Sequence, residues 1–231
     1  ILDGVFDLRG PVYAIGDTHG DGEAFYSAML LTDTVECMSQ IDGVSIDPLE
    51  YVWVGGNSMV VVCGDVTDGR RPNRAVLDAS NQEISILLGI RNLDRLAKKQ
   101  GGRVLLVAGN HDEANLDLEG QGRLRTASYR DESARGSLVQ AHLRATPMFA
   151  VVSIGSWVFC HGGLHPDTVA DLHTELHKRA ANDLPELGLG MTVHALNQVF
   201  FRRAKSSKSR SKSRTEATAY APSEVLLEIW K

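Results

Sequence analysis

Four short segments of this 231-residue chain each sit directly after an apolar run: Gly16-Asp17-Thr18-His19-Gly20, Gly64-Asp65-Val66-Thr67-Asp68, Gly109-Asn110-His111-Asp112 and His161-Gly162-Gly163. An apolar run that ends in such a glycine-rich polar segment reads as a strand feeding a loop. Asp, His and Asn at four such exits constrain the fold strongly. They can serve one purpose together only if their strands share a sheet edge, which predicts residues converging at the ends of strands.

The rest of the chain alternates strand-like and helix-like patterns, the signature of an α/β layered domain. Residues 12–15 read as a strand, and Phe25, Ala28 and Met29 after it have helical spacing. Residues 51–54 and 59–63 flank Gly55-Gly56-Asn57, a composition able to supply positive φ, which predicts a hairpin. Between 80 and 100 the residues Ile84, Leu87, Leu88, Leu93, Leu96 and Ala97 form a helical stripe that Gly101-Gly102 stops. Residues 104–108 read as the strand delivering the third segment. A second hairpin, residues 149–154 and 157–160 across Gly155-Ser156, delivers the fourth.

Residues 113–146 are polar and of mixed charge, and read as a helical or irregular insertion beside the cleft. The tract 205–214, all Lys, Arg and Ser, has nothing to bury and predicts a flexible loop, or a phosphorylatable arm. At 43% hydrophobic, residues 1–231 can bury one substantial core, so a single catalytic domain is expected. The net charge of -5 argues against a general nucleic-acid binder, whose surface needs a positive excess. Cys37, Cys63 and Cys160 are widely spaced with no CxxC pair, which points to a cytoplasmic or other reducing compartment and to no disulfide framework. No apolar run reaches the ~18 residues of a membrane span. The chain begins at Ile1, so N-terminal targeting stays open.

The donor types of the four segments are those of hard and borderline divalent ions: carboxylate, imidazole and amide oxygen. Two such ions ~3.5–4 Å apart turn a bridging water into hydroxide and polarise a phosphoryl group, which makes phosphoester hydrolysis the expected chemistry. Asp17 and His19, at i and i+2 on a strand exit, can face one ion. Asp65 is suited to bridge two, while Asn110 and His161 can serve the second. His111 is then free to donate a proton to the leaving group, with Asp68 holding its tautomer.

These segments resemble the GDxHG, GDxxDRG, GNHE/D and HGGL motifs of calcineurin-like metallophosphoesterases, in the phosphoprotein phosphatase branch. Trp53-Val54-Gly55-Gly56 and Ala134-Arg135-Gly136-Ser137, leading towards Pro147, are most similar to the Shewanella-like, bacterial-type Ser/Thr protein phosphatases. The likeness covers about residues 11–166. It implies a four-layer α/β/β/α sandwich, a first metal held by Asp17, His19 and Asp65, and a second held by Asp65, Asn110 and His161. It also implies His111 as general acid with Asp68 as its partner. Two divalent ions, Mn²⁺ or Fe, are implied, and the residue types also accept Zn²⁺.

Two departures from the family pattern bear on substrate and metal. The phosphate-gripping arginine usually found after the second Asp is replaced by Gly69, leaving Arg70 and Arg71 as candidates for substrate binding. The family's further metal-binding His has no counterpart among His142, His165, His173, His177 and His194, so that ligand is expected beyond Lys231 in a longer chain. The expected function is a protein Ser/Thr phosphatase acting on a phosphoprotein or a small phosphoester. The alternatives are a dinucleoside polyphosphate or nucleotide hydrolase, and a catalytically impaired phosphoprotein-binding module.

Overall fold

The computed structural model describes residues 4–39, 42–71, 74–75, 79–116, 133–164, 166–167, 169–171, 174 and 189–206. Strand β1 (Val5–Phe6) belongs to a compact unit made of residues up to Leu8 and from Phe149 onward; the other unit is Arg9–Met148. Each is centred on its own sheet.

The Arg9–Met148 unit contains β2 (Val12–Ile15), α1 (Gly22–Leu31), β3 (Val35–Cys37), a 3₁₀ turn at Pro48–Glu50, β4 (Tyr51–Trp53) and β5 (Met59–Val62). It continues with β6 (Arg70–Arg71), β7 (Arg74–Ala75), α2 (Ala79–Lys98), β8 (Arg103–Val107), α3 (Asn110–Leu116) and α4 (Ser133–Ala145), and β9 (Met148–Phe149) follows at its end. The sheet order is β2-β5-β8-β9. Every residue of β5 is buried, as expected of an uninterrupted Met-Val-Val-Val run in the middle of a parallel sheet covered on both faces.

That burial overturns the first expected hairpin. β5 pairs in parallel with β2 and β8, so both its edges are occupied, and β4 instead pairs antiparallel with β3 in a separate two-stranded ribbon. The Gly55-Gly56-Asn57 segment joins the two sheets. Trp53 Nε1 donates to Gly56 O at 3.0 Å and Ser58 N–H to Gly55 O at 3.0 Å, which close the turn locally.

Asp21 caps α1, accepting the Ala24 N–H at 2.9 Å. In α2 the buried face runs through Glu83, Ile86, Leu87, Ile90, Leu93, Asp94 and Ala97, while Ile84 and Leu88 are half-buried. The apolar stripe of the sequence is therefore rotated slightly, and its centre includes two acids. Asp94 is neutralised at 2.8 Å by Arg103 Nε and at 2.7 Å by Lys98 Nζ. The helix ends as its glycines dictate: Gly101 has φ +87 and Gly102 N–H donates to Ala97 O at 2.9 Å. Each fully buried Leu or Ile of this face contributes about 1.5–3 kcal/mol.

In the other unit the sheet order is β1-β10-β11, with β10 (Val152–Ile154) and β11 (Trp157–Phe159) antiparallel across Gly155-Ser156 as the sequence predicts. The run 149–154 is not one strand. The side chain of Asn197 takes the backbone of its middle: Oδ1 accepts from Ala150 N at 2.7 Å and Val151 N at 3.2 Å, and Nδ2 donates to Val151 O at 2.8 Å. Asn197 lies on α5 (Leu189–Ser206), whose Val193 and Leu196 pack with Val151, Val5, Ala150 and Leu164. Lys205 and Ser206 end α5; the rest of the tract 205–214, and residues 117–132 of the expected insertion, lie outside the described residues.

Candidate metal centre

The parallel register places Ile15 beside Val62 and Val62 beside Leu106, so the loops that follow β2, β5 and β8 leave the sheet at one edge. Those loops carry Asp17 and His19, Asp65 and Asp68, and Asn110 and His111. Open parallel sheets bind ligands outside the carboxyl ends of their strands for this reason.

The loop after β5 is held at four consecutive peptides. Val66 and Thr67 donate their N–H groups to Asp112 Oδ1 at 3.1 and 3.0 Å, and Asp68 and Gly69 donate theirs to Glu83 Oε1 at 2.9 and 2.8 Å. Two buried carboxylates thus take four consecutive amides. On the carbonyl side, Asp65 O accepts from His19 N–H at 2.8 Å and Val66 O from Gly20 N–H at 2.9 Å, tying the first loop to the second. Asp112 also accepts from Thr67 Oγ1 at 2.8 Å and, through Oδ2, from Gly109 N–H at 3.0 Å, which ties in the third.

This clamping sustains a costly backbone. His19, Asp65 and Asp68 have φ of 47, 49 and 77, in the left-handed region that costs L-residues roughly 1–2 kcal/mol each. Gly109 fits because no side chain could: a Cβ there would overlap the Asp65 carboxylate and backbone nitrogen.

Within this frame the side chains meet. His19 Nε2 lies 3.7 Å from Asp17 Oδ2 and 3.6 Å from Asp65 Oδ2. Its Nδ1 is 3.3 Å from Thr67 O; a carbonyl only accepts, so Nδ1 carries the proton and Nε2 presents its lone pair. His111 Nδ1 is 2.6 Å from Asp68 Oδ2, its Nε2 is 3.8 Å from Asp65 Oδ2, and its backbone N–H donates to Asp65 Oδ1 at 3.0 Å. Ligand atoms of His19, Asp65 and His111 all lie within 4.8 Å of one another. Asp65 and Asp68 are buried and Asp17 is half-exposed, so the group opens to solvent on the Asp17 side. An oxygen and nitrogen donor set of this spacing, with one imidazole tautomer preset, fits a divalent cation.

Asn110 opens α3 beside His111, and His161 follows β11 in the other unit; both are half-buried. Arg70 and Arg71 form β6, paired with β7, and their side chains lie outside the described residues. His165, His173 and His177 also lie outside them, His194 is on α5, and His142 on α4 accepts at Nδ1 from Arg91 Nη2 at 3.0 Å. Cys37, Cys63 and Cys160 form no disulfide among the described residues.

Glu83 and Asp112 were not singled out by sequence reasoning. Burial pushes Glu83 up to about 8, against the pull of its two backbone hydrogen bonds and with the Asp68 and Asp112 charges adding to the rise. Burial likewise raises Asp112 to about 6, opposed by the Gly109 hydrogen bond. An acid at position 83 in helical register with Ile86, Leu87 and Ile90 was the available signal. Asp112→Ala strands the donors of Val66, Thr67 and Gly109 in a dry interior and is expected to destabilise the protein by ~3 kcal/mol or more, read from the urea midpoint at unchanged m.

Residues 10–208 match the calcineurin-like phosphoesterase family. The chain belongs to that family. The chain is 31% identical over 117 residues to Shewanella-like protein phosphatase 2 of Arabidopsis thaliana, covering 51% of this chain and 24% of that one. It is 28% identical over 167 residues to Shewanella-like protein phosphatase 1 of Plasmodium berghei, covering 68% and 40%. The chain therefore spans between a quarter and two fifths of the length of these curated relatives. Among solved structures it is similar to a cold-active protein-tyrosine phosphatase of a psychrophilic Shewanella species, with TM-score 0.50, 18% identity and coverage of 99% and 65%. It is also similar to the phosphatase domain of the Legionella effector WipB, with TM-score 0.53, 12% identity and coverage of 88% and 83%. Those two likenesses are of fold, and with the family match they give this chain the metallophosphatase fold. Membership of the family implies divalent metal ions.

Proposed function

We propose that this phosphoesterase is a metal-dependent protein phosphatase of the Ser/Thr type, with residues 1–231 acting as one catalytic domain. The observation that carries the reading is the meeting of His19, Asp65 and His111 within 4.8 Å, with His111 held from behind by Asp68. Asp17, His19 and Asp65 would hold one ion and Asp65, Asn110 and His161 a second, Mn²⁺ or Fe by family likeness and Zn²⁺ by residue type. When bound, such ions polarise the phosphoryl oxygens and lower the pKa of water. The protein's own part is proton delivery. Asp68 accepts from Nδ1, fixes the ring, and favours a protonated Nε2 that can pass its proton to the departing oxygen. Arg70 or Arg71 would grip the phosphate in place of the arginine that Gly69 replaces.

The curated relatives bear the name protein phosphatase and one structural neighbour is titled a protein-tyrosine phosphatase, so phosphotyrosine belongs beside phosphoserine among the test substrates. Turnover of phosphoserine, phosphothreonine and phosphotyrosine peptides is to be compared with that of a dinucleoside tetraphosphate. Chelation is expected to remove at least ~10²-fold of the rate, with Mn²⁺ restoring it. Preference for the dinucleotide selects the nucleotide hydrolase, and no turnover by a metal-loaded protein selects the binding module.

A further inference from the structure

We propose that Glu83 is a positioning residue for proton delivery: by holding the Asp68-Gly69 peptide it aims the Asp68 carboxylate at His111. The inference rests on the reading of His111 as general acid. Glu83 is fully buried on the core face of α2, where a carboxyl group is costly. Its Oε1 accepts from Asp68 N–H at 2.9 Å and from Gly69 N–H at 2.8 Å, and its Oε2 has no hydrogen-bond partner among the described residues. Among the described residues, its hydrogen bonds go to the one peptide segment that carries the partner of His111.

That segment needs holding. Asp68 has φ 77, which a non-glycine residue leaves unless its backbone is tied. From this conformation its Oδ2 reaches His111 Nδ1 at 2.6 Å. Releasing the amides of Asp68 and Gly69 lets the residue relax towards an ordinary φ, which swings the carboxylate away from the ring. The fit around Glu83 is close on its other side too: a Cβ on Gly20 would lie 2.8 Å from Glu83 Cγ and 3.1 Å from Gly69 Cα. Both bonds use a single acceptor oxygen, Oε1. An amide can then stand in for it.

The experiment compares Glu83→Ala, Glu83→Gln and His111→Ala on phenyl phosphate, a poor leaving group, and p-nitrophenyl phosphate, a good one. Glu83→Ala is expected to lose about 10–100-fold in kcat on phenyl phosphate, at unchanged KM and metal content, and under about fivefold on p-nitrophenyl phosphate. Glu83→Gln, which keeps the acceptor oxygen, is expected to stay within about threefold of the parent on both. Should Glu83→Ala not fold, Glu83→Met keeps the volume, removes only the acceptor, and is read in the same way. Equal losses on the two substrates, or a Glu83→Gln protein as slow as Glu83→Ala, overturn the positioning role. His111→Ala separates the two ideas: if it shows no leaving-group dependence, the acid reading itself has failed, and if it does while Glu83→Ala does not, only the role of Glu83 has.

Discussion

Asp65→Asn is expected to remove more than ~10³-fold of turnover while leaving the fold in place, a larger loss than the 10–100-fold typical of residues that merely support a ligand. The reason the two effects separate is local. Asparagine keeps an Oδ1 able to accept the His111 N–H that Asp65 Oδ1 accepts at 3.0 Å, and it tolerates the left-handed φ of 49 better than any other substitution except glycine. It does not keep the charge. The oxygen that faces His19 Nε2 at 3.6 Å and His111 Nε2 at 3.8 Å becomes an NH₂ group or a neutral carbonyl, and neither can bridge two cations. Metal content by elemental analysis should fall with the rate, and the thermal midpoint of the metal-free protein should move by only a few degrees. A variant that keeps both its metal and its activity would remove Asp65 from the centre.

His111→Ala is expected to separate substrates by their leaving groups. On phosphoserine peptides, whose alkoxide needs a proton, the loss should be about 10²–10⁴-fold; on p-nitrophenyl phosphate it should be under ~10-fold. The same geometry allows a rival role, since His111 Nε2 stands close enough to Asp65 and His19 to ligate an ion, and a carboxylate behind Nδ1 supports ligating histidines too. The two roles differ in what the variant binds. An acid leaves metal stoichiometry intact and shows the split between substrates; a ligand loses metal and slows on both alike.

The sequence by itself located the strands that precede the four candidate segments. Asp, His and Asn at strand exits are local signals, because an apolar run, a glycine and a metal-competent side chain are all readable within five or six residues. The second hairpin was equally local, since the Gly155-Ser156 turn and its flanking strands specify one another. What needed tertiary structure was pairing at a distance. The run 59–62 is apolar at every position, so nothing in it tells a hairpin partner from parallel neighbours, and only the sheet assigns it to β2 and β8. Residues 149–154 look like one strand until Asn197, far along the chain, takes the amides of Ala150 and Val151. The supports of the site were hidden in the same way. Glu83 reads as one polar position on a helix and Asp112 as the end of a motif, until folding removes water from both and leaves four backbone N–H groups of the loop after β5 as their partners. A carboxyl group in a dry interior must be satisfied by whatever donors reach it, and the loop amides that do so are brought there by the fold from 14 to 46 residues away.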